Sequence, residues 1–463
     1  MDSIRLQELK ERAQILDEND DLKEFRSKFK LPTMSEMKKQ LNSAENGING
    51  ADDSGEVIYL CTNSLGLPPK LTMDNLVRVM ESWQTLGVLS HTEGCSPTET
   101  SDMRPKQLLA EYIVGAKLEE VAVMESLTSN IHTLLASFYK PKGDKCCILI
   151  EKQAFPSDFY AIESHIYLRG AEKSALIELD LRPNDKYLTT TEIIEEIKKY
   201  SGKLAFVWLP GVSYLTGQML DIPSITEAVH QICNCPIGWD LAHSVGNVPL
   251  YLHKWNVDCA AWCGYKYLCG SPGGCGGLFV HEMHHLNSGE FAPTNEKNYA
   301  PVLTGWWGHR YSTRFQMTNK MEVEGGADSY RRSCPSMLLN SALTSSLEIF
   351  AEARGMIPIR NKSIQLTNFL EELLLNWPTS LSMGVEIITP KDEHNRGSQL
   401  SIKVNANVEK LHDRLIRRGV ICDIRKPCYI RLAPFALYTS YMDVFKAVKI
   451  IFEELELLIQ HKP

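Results

Sequence analysis

No part of the 463-residue chain approaches 18 uninterrupted apolar residues, so nothing in it reads as a membrane-crossing helix. The opening residues, Met1-Asp2-Ser3-Ile4-Arg5-Leu6, lack the apolar core of a secretion signal, which makes a cytoplasmic location the expectation. Basic charge is not in excess: 49 Lys and Arg face 57 Asp and Glu, a net of −8, with the signs interspersed. A mildly acidic surface lacks the footprint for phosphate backbones or anionic lipid, so neither nucleic acid nor a membrane is an expected partner. Internal repeats, heptad seams and low-complexity tracts are absent, which excludes solenoids and coiled coils. The 13 cysteines are odd in number and scattered from Cys61 to Cys428. They read as reduced thiols, many buried as small hydrophobes, rather than as a disulfide framework.

What is present is an ordinary globular composition, 43% hydrophobic and 23% charged, long enough for two or more lobes. Residues 1 to about 30 alternate charge and leucine at helical spacing, predicting an amphipathic helix, and Asn42 to Gly55 reads as a polar linker. From Val57 onward, short apolar runs alternate with helix-period segments. The runs are Val57–Leu60, Cys146–Ile150, Ala175–Ile177, Leu204–Trp208, Ile237–Trp239 and Val257–Trp262; the helical segments include Pro156–Leu168, Thr191–Tyr200 and Ile222–Cys233. Buried strands alternating with helices predict an α/β lobe on a mostly parallel sheet. After Ser336 the pattern changes. A long helical stretch to Trp377, broken near Gly355 and Pro358, precedes strands and helices that predict a smaller α+β lobe.

Several features carry chemistry. The run Ile237-Gly238-Trp239-Asp240 ends in a carboxylate followed three residues on by His243, at the carboxyl end of a strand, where open α/β sheets bind ligands. Lys266 follows Asp240 by 26 residues and precedes the glycine-rich Cys269–Gly274. A lysine amine that can condense with an aldehyde, and a carboxylate that can hold a proton on a ring nitrogen, fit pyridoxal phosphate, but also fit a strand-end salt bridge beside a solvated lysine. Phe155-Pro156-Ser157-Asp158 and Leu127-Thr128-Ser129-Asn130 open helices; each suits a flat ring or a phosphate, and equally a plain helix start. Arg431, in a strand of the second lobe, can clamp a carboxylate or form a salt bridge. His281-Glu282-Met283-His284-His285 matches H-E-x-x-H, but it follows a strand-like run directly, and Gly289 and Pro293 leave little room for the sustained helix a zinc hydrolase needs. No metal is expected.

Taken in order over Tyr59 to Tyr438, these segments resemble the kynureninase family, pyridoxal-phosphate enzymes of fold type I related to class V aminotransferases. The resemblance rests on Asn63-Ser64-Leu65-Gly66-Leu67, Ala154 to Asp158 continuing Tyr160-Ala161-Ile162-Glu163-Ser164, Thr216-Gly217-Gln218, Asp240 to Asn247, Tyr251-Leu252-His253, Tyr265-Lys266-Tyr267-Leu268, Gly305-Trp306-Trp307-Gly308-His309, Ser312-Thr313-Arg314-Phe315 and Ile430-Arg431. It implies residues 1–55 as an N-terminal helix and linker, 56–335 as a large cofactor-binding domain and 336–463 as a small C-terminal domain. The implied reaction hydrolyses kynurenine or 3-hydroxykynurenine to alanine and an anthranilate, in tryptophan catabolism leading toward pyridine nucleotides.

Lys266 would carry the cofactor, with Tyr265 as phosphate contact and proton-transfer partner. Asp240 would pair with the pyridine nitrogen, with His243 close by. Phe155 would stack on the ring, and Leu127, Thr128, Pro156, Ser157 and Asp158 would line it. Trp306 would reach the phosphate of a neighbouring subunit, which implies a homodimer with shared active sites. Arg431 would hold the substrate carboxylate, while Ser64 and His91 face its aromatic end. The chain departs from the family pattern in Cys334, where an asparagine is expected, in Pro210, where a serine is expected, and in Gly94–Glu99, which replaces an Arg-Pro-Trp patch. The rival readings are a cysteine desulfurase-like class V enzyme, a weakly active paralogue, or a relative that keeps the fold without turnover.

Overall fold

The computed structural model describes residues 2–41, 55–181, 185–286 and 303–460; the expected linker, apart from Gly55, lies outside these, as do Gly289 and Pro293. Chain contacts define two compact units. One comprises Leu71–Val212 and Leu220–Gly355; the other comprises Met1–Lys70, Ser213–Met219 and Met356–Pro463.

The strand β1 (Ile58–Tyr59) belongs to the second unit. The first unit is built on seven strands: β2 (Val121–Met124), β3 (Cys147–Glu151), β4 (Leu176–Leu179), β5 (Leu204–Pro210), β6 (Ile237–Asp240), β7 (Cys259–Trp262) and β8 (Gly276–Val280), in the order β2-β8-β7-β6-β5-β3-β4. All neighbours from β4 through β7 are parallel, and β8 runs antiparallel to both β7 and β2. The middle strands are buried on both faces, which is why they read as continuous apolar runs instead of alternating ones. Helices Pro156–Leu168, Thr190–Tyr200 and Ile222–Cys233 supply the crossovers, each starting with the chemistry the sequence provides. Proline stands at the first turn of Pro156–Leu168, Thr189 and Glu192 form a capping box, and Asp221 accepts from Ser224 N–H.

The second unit holds β9 (Glu386–Ile387), β10 (Leu400–Lys403), β11 (Val420–Ile421), β12 (Asp423–Arg425) and β13 (Tyr429–Leu432). Its four-stranded antiparallel sheet runs β12-β13-β10-β9, while β1 pairs in parallel with β11. The N-terminal segment is not one helix to residue 30. It is helical over Asp2–Glu18 and then turns, because the Asp20 carboxylate accepts from Leu22 N–H (2.9 Å) and pairs with the buried Lys362 (2.6 Å). Helix Met337–Glu352 packs on Met103–Leu108 with Arg104 bonded to Glu348 (2.7 Å), so the unit boundary falls at Gly355 and not after 335. Gly355 adopts φ +81°, a left-handed stop that a composition change cannot show.

Asp17 accepts from the first two N–H groups of the closing helix Tyr441–Gln460, Tyr441 at 2.7 Å and Met442 at 3.0 Å. It is a cap supplied from more than 400 residues away. Asp17→Ala is expected to destabilise the protein by about 1 kcal/mol, read as a lower urea midpoint by circular dichroism. An unchanged midpoint would show that the cap contributes nothing.

Candidate active site

Asp240 ends β6 in the middle of the sheet. It is buried, and one carboxylate oxygen accepts from Ala242 N–H at 2.8 Å. Opposite it on β5 stands Pro210, and Gly211 N–H returns to the Asp240 carbonyl (2.8 Å). Asp158, in the first turn of Pro156–Leu168, accepts from the Trp208 indole N–H (3.1 Å) and faces Asp240. Burial, reinforced by the Asp240 charge, holds the Asp158 carboxyl well above the usual carboxylate range. Burial also raises Asp240, opposed by the Lys266 ammonium and by Ala242 N–H.

Lys266 sits on a turn after β7, closed by Gly270 N–H to the Gly264 carbonyl (2.8 Å) and Cys269 N–H to the Lys266 carbonyl (2.9 Å). Gly264 has no space for a side chain: a Cβ would lie 2.3 Å from the Cys275 carbonyl. The Lys266 ammonium stands 5.8 Å from the centre of the half-exposed Phe155 ring. Burial holds the neighbouring Tyr265 phenol protonated, with the Cys263 thiol hydrogen-bonded to it. His243 is buried, its ring edge-on to Tyr267 at 6.4 Å. Thr128 and Ser157 join hydroxyls at 2.5 Å, linking the starts of helices Leu127–Phe138 and Pro156–Leu168. Ser126 makes no side-chain cap on the first of these, so its leading N–H groups remain suited to an anion.

The structure therefore gathers Lys266, Tyr265, Phe155, Asp158 and Asp240, with the Thr128–Ser157 pair, in the larger unit. His91 and Trp306 lie in that unit but make their contacts elsewhere. His91 is exposed at the end of the turn Gly87–His91, and the divergent loop folds back to it through Glu99 N–H (3.1 Å). Trp306 is 47% exposed, its indole N–H bonded to the Arg314 carbonyl (3.2 Å). Ser64 and Arg431 belong to the other unit, where Ser64 is exposed. Arg431 is buried, paired with Asp423 and bonded to the Tyr214 carbonyl (2.6 Å). Cys334 is exposed and lines a cavity of about 290 Å³ with Glu125, Ser126, Gly274, Arg332 and Asn340. Sequence reading missed Trp208 and Glu151. Each sits at the carboxyl end of a predicted strand, the one available signal.

The fold is that of the pyridoxal-phosphate enzymes of fold type I. The chain superposes on a C-DES mutant with glycine covalently linked to its PLP cofactor at TM-score 0.70 and 15% identity, covering 89% of this chain and 98% of that one. It superposes on apo cysteine desulfurase from Thermococcus onnurineus at 0.68 and 16%, covering 87% and 95%. These likenesses fix the fold, and sequence fixes the family. A kynureninase from Schistosoma japonicum is 44% identical over 425 residues, 88% of this chain and 97% of its own, and kynureninase 2 from Neurospora crassa is 40% identical over the full length of both. The family model for the kynureninase C-terminal domain matches residues 359–451. The chain belongs to the kynureninase family.

Burial, with Asp240 adding to it, raises the Glu151 carboxyl at the end of β3 from 4.5 to about 7. Between those values the folded protein keeps a proton that the unfolded chain has released, so this group lowers stability as pH rises from 4.5 to 7. In cofactor-stripped protein, Glu151→Gln is expected to gain urea resistance relative to wild type across pH 5 to 7, and to match it below pH 4.5. Parallel pH profiles for the two proteins would refute the buried-carboxyl assignment.

Proposed function

We propose that this chain uses pyridoxal phosphate, held covalently by Lys266, to hydrolyse kynurenine or 3-hydroxykynurenine to alanine and the corresponding anthranilate. The observation that carries the reading is the meeting of a lysine amine, an aromatic ring 5.8 Å away and a buried carboxyl at the carboxyl ends of the sheet. The residues fit the group. Asp240 offers an acceptor for a protonated ring nitrogen, Phe155 a stacking face, and Thr128, Ser157 and the N–H groups after Ser126 a cradle for phosphate. When bound, the cofactor supplies an electron sink for negative charge developed at the substrate α-carbon.

The chain's own residues do the rest. Lys266 would hold the cofactor, and its free amine would serve as the base that moves the substrate α-proton. Asp240, backed by the protonated Asp158, keeps the ring nitrogen protonated. Leu127, Pro156 and His243 pack around the ring, and Tyr265 serves the phosphate and passes protons with its phenol kept neutral by burial. Arg431 orients the substrate carboxylate, and Ser64 and His91 the aromatic end. One water is consumed: its hydroxyl joins the γ-carbonyl carbon to form the anthranilate carboxyl, and its hydrogen ends on the carbon that becomes the alanine methyl.

No described helix is long and apolar enough to cross a membrane. We assign the protein to the cytoplasm as a homodimer in which Trp306 serves the neighbouring subunit. The exposed stripe Met73, Val77, Met80 and Trp83 on helix Lys70–Leu86, with the exposed Trp306, supports a subunit interface.

Purified protein given kynurenine, 3-hydroxykynurenine or cysteine in separate reactions is expected to release alanine from the first two; failure with both would overturn the reading. Lys266→Ala is expected to lose the yellow absorbance and at least about a thousandfold in kcat. Cys334→Asn, which restores an amide donor, is expected to shift the kcat/KM ratio for the two kynurenines by about tenfold or more. An unchanged ratio would remove Cys334 from substrate recognition.

A further inference from the structure

The H-E-x-x-H segment does not form a protease-type metal site. Its described turn is one 3-10 step, Glu282–His284; His284 bonds Asp258 (2.7 Å) and Glu282 pairs with Lys117 (2.5 Å). Its first histidine is placed differently. Glu120 immediately precedes β2, His281 immediately follows the antiparallel β8, and His253 lies on the segment leading into β7. Asp240 pairs with Ala261 near the carboxyl end of β7, so these three residues occupy the opposite edge of the sheet from the Lys266 site.

Their donor atoms converge. His253 Nδ1 is 2.9 Å and His281 Nε2 3.9 Å from the same Glu120 oxygen, and all three ligand atoms lie within 4.8 Å of one another. An ion held tetrahedrally at roughly 2.0–2.1 Å sets its ligands about 3.3 Å apart, so the two Glu120–histidine separations need to change by only about half an ångström each, and the two histidine nitrogens close from no more than 4.8 Å. Glu120 is fully buried and fixed by Lys117 N–H (2.8 Å) and Glu282 N–H (3.0 Å). The imidazoles are parallel, 5.0 Å between centres, with His281 buried and His253 partly open to solvent.

We propose that Glu120, His253 and His281 form a binding site for a divalent transition-metal ion, zinc before others, with water as fourth ligand on the exposed side of His253. Two imidazoles and one carboxylate are a borderline donor set that selects zinc, cobalt or nickel over magnesium and calcium. Binding through His281 Nε2 moves that ring's proton to Nδ1. It thereby exchanges two long contacts, Met283 N–H to Nδ1 and Nε2 to the His253 carbonyl, both 3.2 Å, for metal–ligand bonds. His253 likewise ligates through Nδ1 with its ring proton on Nε2, in place of the 2.9 Å contact with Glu120. The site staples the ends of β2 and β8 to the strap before β7 and takes no part in turnover, being at the far edge of the sheet.

The test uses tag-free holoenzyme, stripped with chelator and titrated with Co²⁺. One ion per chain is expected, with the visible absorption of a four-coordinate site, no thiolate charge-transfer band, displacement by Zn²⁺ and a raised melting temperature. His253→Ala, at the rim where folding is least at risk, is expected to weaken binding at least about a hundredfold. His394→Ala, changing an exposed histidine in the other unit, is expected to leave it unchanged. Apo melting curves of both variants check that they fold. Absence of the cobalt band, its survival in His253→Ala, or a thiolate band instead would overturn the site.

Discussion

A carboxylate carried to the buried end of a central strand must be matched by a proton, a cation or hydrogen-bond donors, because an unpaired buried charge costs several kcal/mol. Asp240 is in that position, and the candidate site is arranged around it. Ala242 N–H holds one oxygen, Asp158 faces it with a carboxyl that burial raises well above its ordinary range, and Lys266 brings positive charge to the same region. Asp158 in turn depends on the Trp208 indole and on a helix that begins at Pro156.

The backbone is built to allow that gathering. At Gly238, two residues before Asp240, a Cβ would lie 2.4 Å from the Trp208 ring, so the indole that anchors Asp158 occupies the space a side chain there would need. At Gly264 the turn presenting Lys266 runs against the Cys275 carbonyl with the same lack of room. These glycines are requirements of close approach, one to an aromatic ring and one to a backbone carbonyl.

The departures from the family pattern fall in three places of the larger unit, one of them opposite Asp240. Pro210 ends its strand, and the next residue, Gly211, supplies an N–H to Asp240, so proline is tolerated in the ladder while a hydroxyl is lost. Cys334 borders a cavity shared with Ser126, held by Arg331, which is buried against Asp102 and Asp328. The loop Gly94–Glu99 returns to His91 through its backbone, which replaces the missing patch with a different shape.

The order of apolar runs and helix periods determined the α/β core, because strands buried on both faces leave continuous hydrophobic runs that nothing else in the chain imitates. The strands from Cys147 to Trp262 and helices such as Pro156–Leu168 and Ile222–Cys233 were legible to within a residue or two. Asp240 and Lys266 were legible as a pair of chemical groups, and motif order then named their family. Tertiary structure alone decided that the N-terminal segment joins the C-terminal unit, since Asp17 caps a helix more than 400 residues away. It alone put Glu151 and Trp208 beside Asp158 and Asp240, and His281 beside Glu120 and His253. Hydrophobic periodicity is a local record of which face is buried; the partner of a buried charge is chosen by strand order, and strand order is written in no single stretch of sequence.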